Sequence, residues 1–241
     1  MRKGRKMVEL NEYGLTKRDM ELFDIMAAFN GVTYNPALIK SVYYGTKEQT
    51  MRNRLQILRK KKRLIRYKLT NLLKPKYAIL LTQEGKAFIE EAFGARVGDP
   101  NPAPMTINHL IVEQIVYYWL KKAGRDVERT IVKRWREKGY NHTPDLAYKT
   151  KKGLVYVEVE LTVKRPHSYI DIFKRIKADN PTAVLYVFKD EKKMKSIGTK
   201  IPLWDKIRYT TVDRLINGVL ENGKIDAVKQ VDYINQIKKE V

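Results

Sequence analysis

Within Leu154 to Lys164, side chains of two kinds alternate from Val155 onward. Val155, Val157, Val159, Leu161 and Val163 have one parity, and Tyr156, Glu158, Glu160, Thr162 and Lys164 have the other. A period of two is the spacing of a β-strand and argues against a helix, so this part of the chain must build around a sheet. The preceding Asp145-Leu-Ala-Tyr148 also reads as a strand. Between them, Lys149-Thr-Lys-Lys-Gly153 supplies a polar turn with a glycine able to take positive φ. A turn centred on Lys151-Lys152 places Asp145 opposite Glu158. The pattern sends the valines inward and both glutamates outward.

Carboxylates directly across a strand pair repel and destabilise the sheet unless something neutralises them. A divalent cation does so, and Mg²⁺ (or Mn²⁺) needs only one or two carboxylates plus waters and phosphate oxygens. Asp145 and Glu158 are the expected metal ligands, with Glu160 and Lys164 on the same strand face. The competing reading is an amphipathic hairpin whose polar face is solvated.

Composition narrows the partner. The chain of 241 residues is 43% apolar, ordinary for one large globular domain or two small ones. Its lack of cysteine excludes disulfides, thiolate zinc sites and cysteine nucleophiles and suits a reducing cytoplasm, the expected location. The basic start Met1-Arg-Lys-Gly-Arg-Lys leads into no apolar segment of a signal peptide, and no stretch approaches the roughly 18 uncharged residues of a spanning helix. A net charge of +22 points to a polyanion. Residues 1–94 hold 20 basic and 9 acidic residues, and residues 95–241 hold 29 and 18, so both parts share the excess.

Gly94-Ala-Arg-Val-Gly-Asp-Pro-Asn-Pro-Ala-Pro104 disfavours both helix and strand, which gives a domain over 1–94, a linker over 95–105 and a second domain over 106–241. In the first, Thr16 and Asp19 open a helix carrying Leu22, Ile25, Met26 and Phe29 that ends at Asn30-Gly31. A short helix is expected over Pro36–Tyr43. Thr46 and Gln49 fit a capping box for a third helix with the stripe Met51, Leu55 and Leu58. Strands over Leu64–Leu69 and Tyr77–Leu81 follow, then a fourth helix from Thr82. That order is the one of a winged helix-turn-helix. Arg52, Arg54, Arg59, Lys60, Lys61, Lys62, Arg63, Arg66 and Lys68 crowd the third helix and the wing with no acid among them. Arg52, Gln56 and Arg59, opposite the stripe, are the expected base-edge readers, with Arg54 at its margin; the others are suited to phosphates. A solvated charged helix end is the alternative.

In the second domain, Thr106 caps an apolar helix from Ile107 to about Lys122. His109 and Glu113 share its polar face and are candidates to point at the hairpin acids, with Glu113 in a catalytic role. A strand near Asp126 to Trp135 precedes the hairpin. A helix opened by Pro166 carries Tyr169, Ile172, Phe173 and Ile176, and Thr182–Phe188 reads as a buried strand. Further helix, strand and helix are expected from Lys192, Arg208 and Val212. His142, Lys174 and Arg175 are secondary candidates for water or phosphate contacts, each also readable as unremarkable surface. The tyrosine doublets Tyr43-Tyr44 and Tyr117-Tyr118 read as packing residues. Three scattered histidines without a His-X-His disfavour a histidine-metal, tyrosine-nucleophile relaxase.

Helix, three strands, helix, strand, with Pro-Asp145 before one hairpin strand and Glu158-Val-Glu160 on the next, resembles the PD-(D/E)XK restriction-endonuclease-like superfamily. The resemblance implies an α/β nuclease-like core with Asp145, Glu158 and Glu160 at the catalytic positions. It departs at Glu160, where lysine is commonest, and Lys164, two pleats on, is a candidate substitute. More narrowly, a winged helix joined to His109-Leu-Ile-Val-Glu113, Pro-Asp145 and Glu158-Val-Glu160-Leu-Thr is similar to the replication-relaxation family of plasmid and mobile-element proteins. That implies binding at plasmid DNA in replication or in relaxation and nicking. The expected partner is double-stranded DNA, with a homodimer left open and neither a membrane nor a small-molecule cofactor expected. Three functions follow: a metal-dependent DNA endonuclease, an inactive DNA-binding accessory factor, and a transcriptional regulator with an α/β effector domain.

Overall fold

The computed structural model describes residues 14–33, 42–69, 77–98 and 107–239, and the chain is of mixed α/β class. The helix expected over Pro36–Tyr43 lies almost wholly outside those residues, as do much of Gly94–Pro104 and the Thr106 cap. The chain forms two compact units, Met1–Gln114 and Ile115–Val241.

In the first unit, helix α1 (Lys17–Ala28) starts with the reciprocal capping box of Thr16 and Asp19 and buries Leu22, Phe23, Ile25 and Met26. Strand β1 (Val32–Thr33) follows. Helix α2 (Glu48–Gln56) buries Met51 and Leu55 and continues into a π-helical turn, Ile57–Lys61, that buries Leu58. Lys62 N donates to Ile57 O at 3.0 Å, the five-residue spacing of that turn. The Thr46–Gln49 capping box does not form. Lys47 is the N-cap without a side-chain bond, because the Thr46 hydroxyl accepts from Arg18 and the Gln49 amide donates to Asn53 at 2.9 Å.

Strands β2 (Ile65–Leu69) and β3 (Tyr77–Leu81) pair antiparallel, and β1 adds to the other edge of β3. Helix α3 (Gln83–Phe93) starts at Thr82, whose hydroxyl accepts from Gly85 N. Gly85 is required there: a Cβ would lie 2.0 Å from Leu64 O. Phe88 of α3 meets Phe23 of α1 edge-on with ring centroids 5.1 Å apart.

The division between units falls inside helix α4 (Ile107–Lys122), beyond the proline-rich boundary expected from sequence. Gln114, the last residue of the first unit, is fully buried, donates to Val32 O at 2.8 Å and accepts from the Thr33 hydroxyl at 3.1 Å. These bonds tie the first half of α4 to β1.

The second unit holds a six-stranded sheet in the order β4 (Val127–Arg129), β5 (Leu146–Thr150), β6 (Gly153–Glu160), β7 (Ala183–Phe188), β8 (Ile207–Thr211), β9 (Val228–Lys229). The β4, β5 and β6 pairings are antiparallel, β6, β7 and β8 run parallel, and β9 is antiparallel to β8. The strand expected up to Trp135 stops at Arg129, and Val132–Glu137 is a short helix, α5. Its single buried side chain, Trp135, stacks on Tyr140 at 4.6 Å, so one aromatic anchor rather than an alternating face fixes the segment. Helix α6 (Pro166–Asp179) connects β6 to β7, with α7 (Glu191–Gly198), α8 (Val212–Asn222) and α9 (Gln230–Lys239) following. One core cluster packs Tyr169 and Ile176 of α6 against Ala147, Tyr156, Val184, Tyr186, Phe188 and Tyr209 of the sheet.

Asp19 organises the first unit. Its fully buried carboxylate takes hydrogen bonds from Tyr43 Oη at 2.6 Å, Thr16 N at 2.6 Å and Arg54 Nε at 3.0 Å. Burial alone pushes this carboxyl up, but Arg54, Tyr43 and Thr16 outweigh it and hold the group below its ordinary value. The stability it contributes is therefore present above about pH 4 and lost as pH falls through the folded value. Asp19→Asn is expected to cost about 2–3 kcal/mol and to remove that acid-side slope. Urea melts between pH 2.5 and 7 check both.

Candidate functional site

The β5–β6 register pairs Thr150 with Gly153 and Leu146 with Val157, so the hairpin turns on Lys151-Lys152. Continuing that register by one residue sets Asp145 opposite Glu158. Gly153 has φ 128°, and a Cβ on it would lie 2.4 Å from the Thr182 hydroxyl, so the residue after the turn must be glycine on both counts.

The glutamate face is not the solvated one. β6 is a central strand whose valines and Tyr156 are buried, as is Glu160, while the Glu158 side chain is 14% exposed. A strand with parallel and antiparallel neighbours, overlaid by α6 through Tyr169 and Ile176, has no outward side. The expectation of outward glutamates is therefore corrected.

Four side chains gather around Glu158. His142 Nε2 lies 2.6 Å from Glu158 Oε1. Asp145 Oδ2 accepts from Val159 N at 2.7 Å. Lys164 Nζ contacts Glu160 Oε2, and the Lys164 amide donates to the Tyr169 hydroxyl at 3.0 Å. Tyr186 sits beside Glu158 on β7 in register. Burial pushes the Glu158 carboxyl up. His142 and Lys164 pull the other way, and the negative charge of Asp145 adds to the rise. Burial, followed by the charges of Glu158 and Glu160, holds the Tyr186 phenol well above its ordinary value. A carboxyl with a raised pKa beside a second acid, an imidazole and an ammonium is a pattern associated with functional sites.

The arrangement brings together Asp145, Glu158, Glu160 and Lys164, and adds His142, but β6 stops at Glu160, so Lys164 reaches Glu160 from the irregular segment before α6 and not from the strand face expected. Among the described residues no three His, Asp or Glu side chains form a ready metal-binding group. Asp145 and Glu158 are the pair that would hold a Mg²⁺, which takes the rest of its shell from water and phosphate. His109 and Glu113 belong to the first unit, where Glu113 is buried. Lys174 and Arg175 lie exposed on α6.

Sequence reasoning gave His142 little weight and missed Asp179. Their signals were present: a histidine three residues before the hairpin acid, and an acid at the end of a helix, where the macrodipole disfavours it. Asp179 accepts from Asn141 N at 2.7 Å, Asn141 Nδ2 at 2.8 Å, His142 N at 2.9 Å and Tyr156 Oη at 3.0 Å. Although burial opposes it, this set of hydrogen bonds holds the Asp179 carboxyl below its ordinary value.

On the first unit, Arg52, Gln56, Lys60, Lys61, Arg63, Arg66 and Lys68 are exposed, and Arg59 and Lys62 are half-buried. Arg59 lies over the Tyr67 ring at 4.9 Å, and Arg52 pairs with Glu48 at 2.7 Å. Arg54 differs from the rest: it is committed to Asp19 and to Gly14 O at 2.8 Å, which makes it a structural cation.

No family model, no curated protein and no solved structure matches this chain.

Proposed function

We propose that the chain is a double-stranded-DNA-binding protein whose second unit carries a nuclease-like site acting on the phosphodiester backbone with a divalent cation. The observation that carries this reading is the convergence of Asp145, Glu158, Glu160, Lys164 and His142 around one buried face of β6, in a unit where α5 separates β4 from the β5–β6 hairpin and α6 leads on to β7. The resemblance to PD-(D/E)XK proteins rests on the order helix, three strands, helix, strand, from which the structure differs by the short helix α5 between the first two of those strands. The replication-relaxation likeness would place the activity at plasmid or mobile-element DNA in a cytoplasm.

In this reading Asp145 and Glu158 would hold the cation, which would supply positive charge to the phosphate under attack. Glu160 would take the proton of a water as that water's oxygen bonds to phosphorus, and the Lys164 ammonium beside it would orient the water or the phosphate. The displaced strand end leaves as an alkoxide and is protonated from solvent. The first unit supplies DNA affinity. The order of helix, hairpin and helix, with exposed cations on α2, the π-turn and β2, supports a winged-helix role.

A second reading has one observation in its favour. Lys164 contacts Glu160, so the ammonium nearest the acids is spent on neutralising the glutamate that stands where lysine is usual. The unit would then be an inactive DNA-binding accessory surface.

With Mg²⁺ or Mn²⁺, wild-type protein is expected to nick supercoiled plasmid, and Asp145→Ala or Glu158→Ala to reduce the rate at least 100-fold. An intact plasmid at every metal concentration, together with a retained gel shift, selects the inactive reading. Replacing Arg59, Lys60, Lys61, Lys62 and Arg63 with glutamine should weaken DNA binding and flatten its salt dependence, by about 0.9 in log–log slope for each phosphate no longer neutralised. Unchanged affinity would remove the winged-helix assignment.

A further inference from the structure

We propose that His142 is a positioning residue, gripped by Asp179, that sets the orientation of the Glu158 carboxylate for cation binding; this rests on the metal-dependent reading above. His142 lies in the irregular segment before β5, where a side chain would ordinarily sample several rotamers, yet it is 8% exposed and fixed at both ends. Its backbone N donates to Asp179 Oδ2 at 2.9 Å, and its ring reaches Glu158 Oε1 at 2.6 Å.

Asp179 is suited to holding and to nothing else. A carboxylate offers about four lone-pair sites. Asn141 N, Asn141 Nδ2, His142 N and Tyr156 Oη supply four donors to it. It closes α6, where an acid is disfavoured by the helix dipole, so its position is sustained by these outside donors. The contact between Asp179 and the Asn141–His142 backbone joins the end of α6 to the segment that leads into Asp145.

The function of such a grip follows from the glutamate side chain. Three rotatable bonds leave the plane of a glutamate carboxylate undefined unless a partner fixes it, and ordering it at the moment of binding costs affinity. A ring nitrogen on Oε1 fixes that plane beforehand. Outer partners of ligating carboxylates contribute to affinity in this way, commonly 10- to 100-fold. The imidazole would act through Glu158 and need not touch the cation or the DNA.

The test uses the full chain and Mn²⁺ alone, without DNA, followed by calorimetry and by the electron paramagnetic resonance of free Mn²⁺. Wild type should bind, and Asp145→Ala with Glu158→Ala should abolish binding, which assigns the ion to this site. His142→Ala should weaken binding about 10- to 100-fold. His142→Gln, whose amide nitrogen reaches the place of Nε2, should recover most of it. Asp179→Ala should reproduce the loss, since its four hydrogen bonds hold the His142 segment. Thermal melts separate folding from positioning. A role confined to stability would lower the melting midpoint of His142→Ala and leave Mn²⁺ affinity at the wild-type level, overturning the proposal while the site stands. No Mn²⁺ uptake by wild type would overturn the site reading and this one together.

Discussion

Two glutamates on a strand without a solvent face are the constraint on which the second unit depends. Removing a carboxylate from water costs several kcal/mol unless hydrogen bonds and opposite charge replace the hydration. β6 meets this cost from outside the strand. His142 comes from the segment before β5, and Lys164 from the segment before α6. The polypeptide on either side of the hairpin therefore has to return to β6, and α6 has to lie where Tyr169 receives the Lys164 amide. Sheet, loop and helix are placed by one electrostatic requirement.

Three acids in the described residues show two ways of meeting that requirement. Asp19 and Asp179 are surrounded by donors, and their carboxyls are held below the ordinary value against the effect of burial. Glu158 has one close partner and a neighbouring acid, and burial prevails. The first two behave as structural anions, each fastening a helix to a distant piece of chain. Glu158 is under-compensated by comparison, and a residual deficit of positive charge is what a cation or a proton relieves. That contrast, more than the number of acids, supports placing chemistry at Glu158.

Local patterns were legible in the sequence, and those that depend on neighbours were not. The hairpin turn at Lys151-Lys152, the Thr16–Asp19 box and the Met51, Leu55, Leu58 stripe depend on residues a few positions apart. The burial of Glu160 depends on β7 and α6, which no alternation within β6 reveals. Arg54 resembles its basic neighbours in every local respect, and only Asp19, 35 positions away, sets it apart. Trp135 read as the end of a strand because a single large apolar residue carries no periodicity. At His142 and Asp179 the local rules are broken for a reason that lies in the tertiary structure.

The π-helical turn Ile57–Lys61 holds one residue more than an α-helical turn would need to join the same two ends. Leu58 remains in the core while Arg59, Lys60 and Lys61 are spread around a wider circumference than 3.6-fold spacing allows. Where these cations stand is thus decided by chain length instead of side-chain identity. A single deletion within the turn would let an α-helical turn join the same two ends and draw the basic residues left in it into 3.6-residue spacing, with Met51 and Leu55 in place. Exchanging one basic residue for another would leave that spacing unchanged.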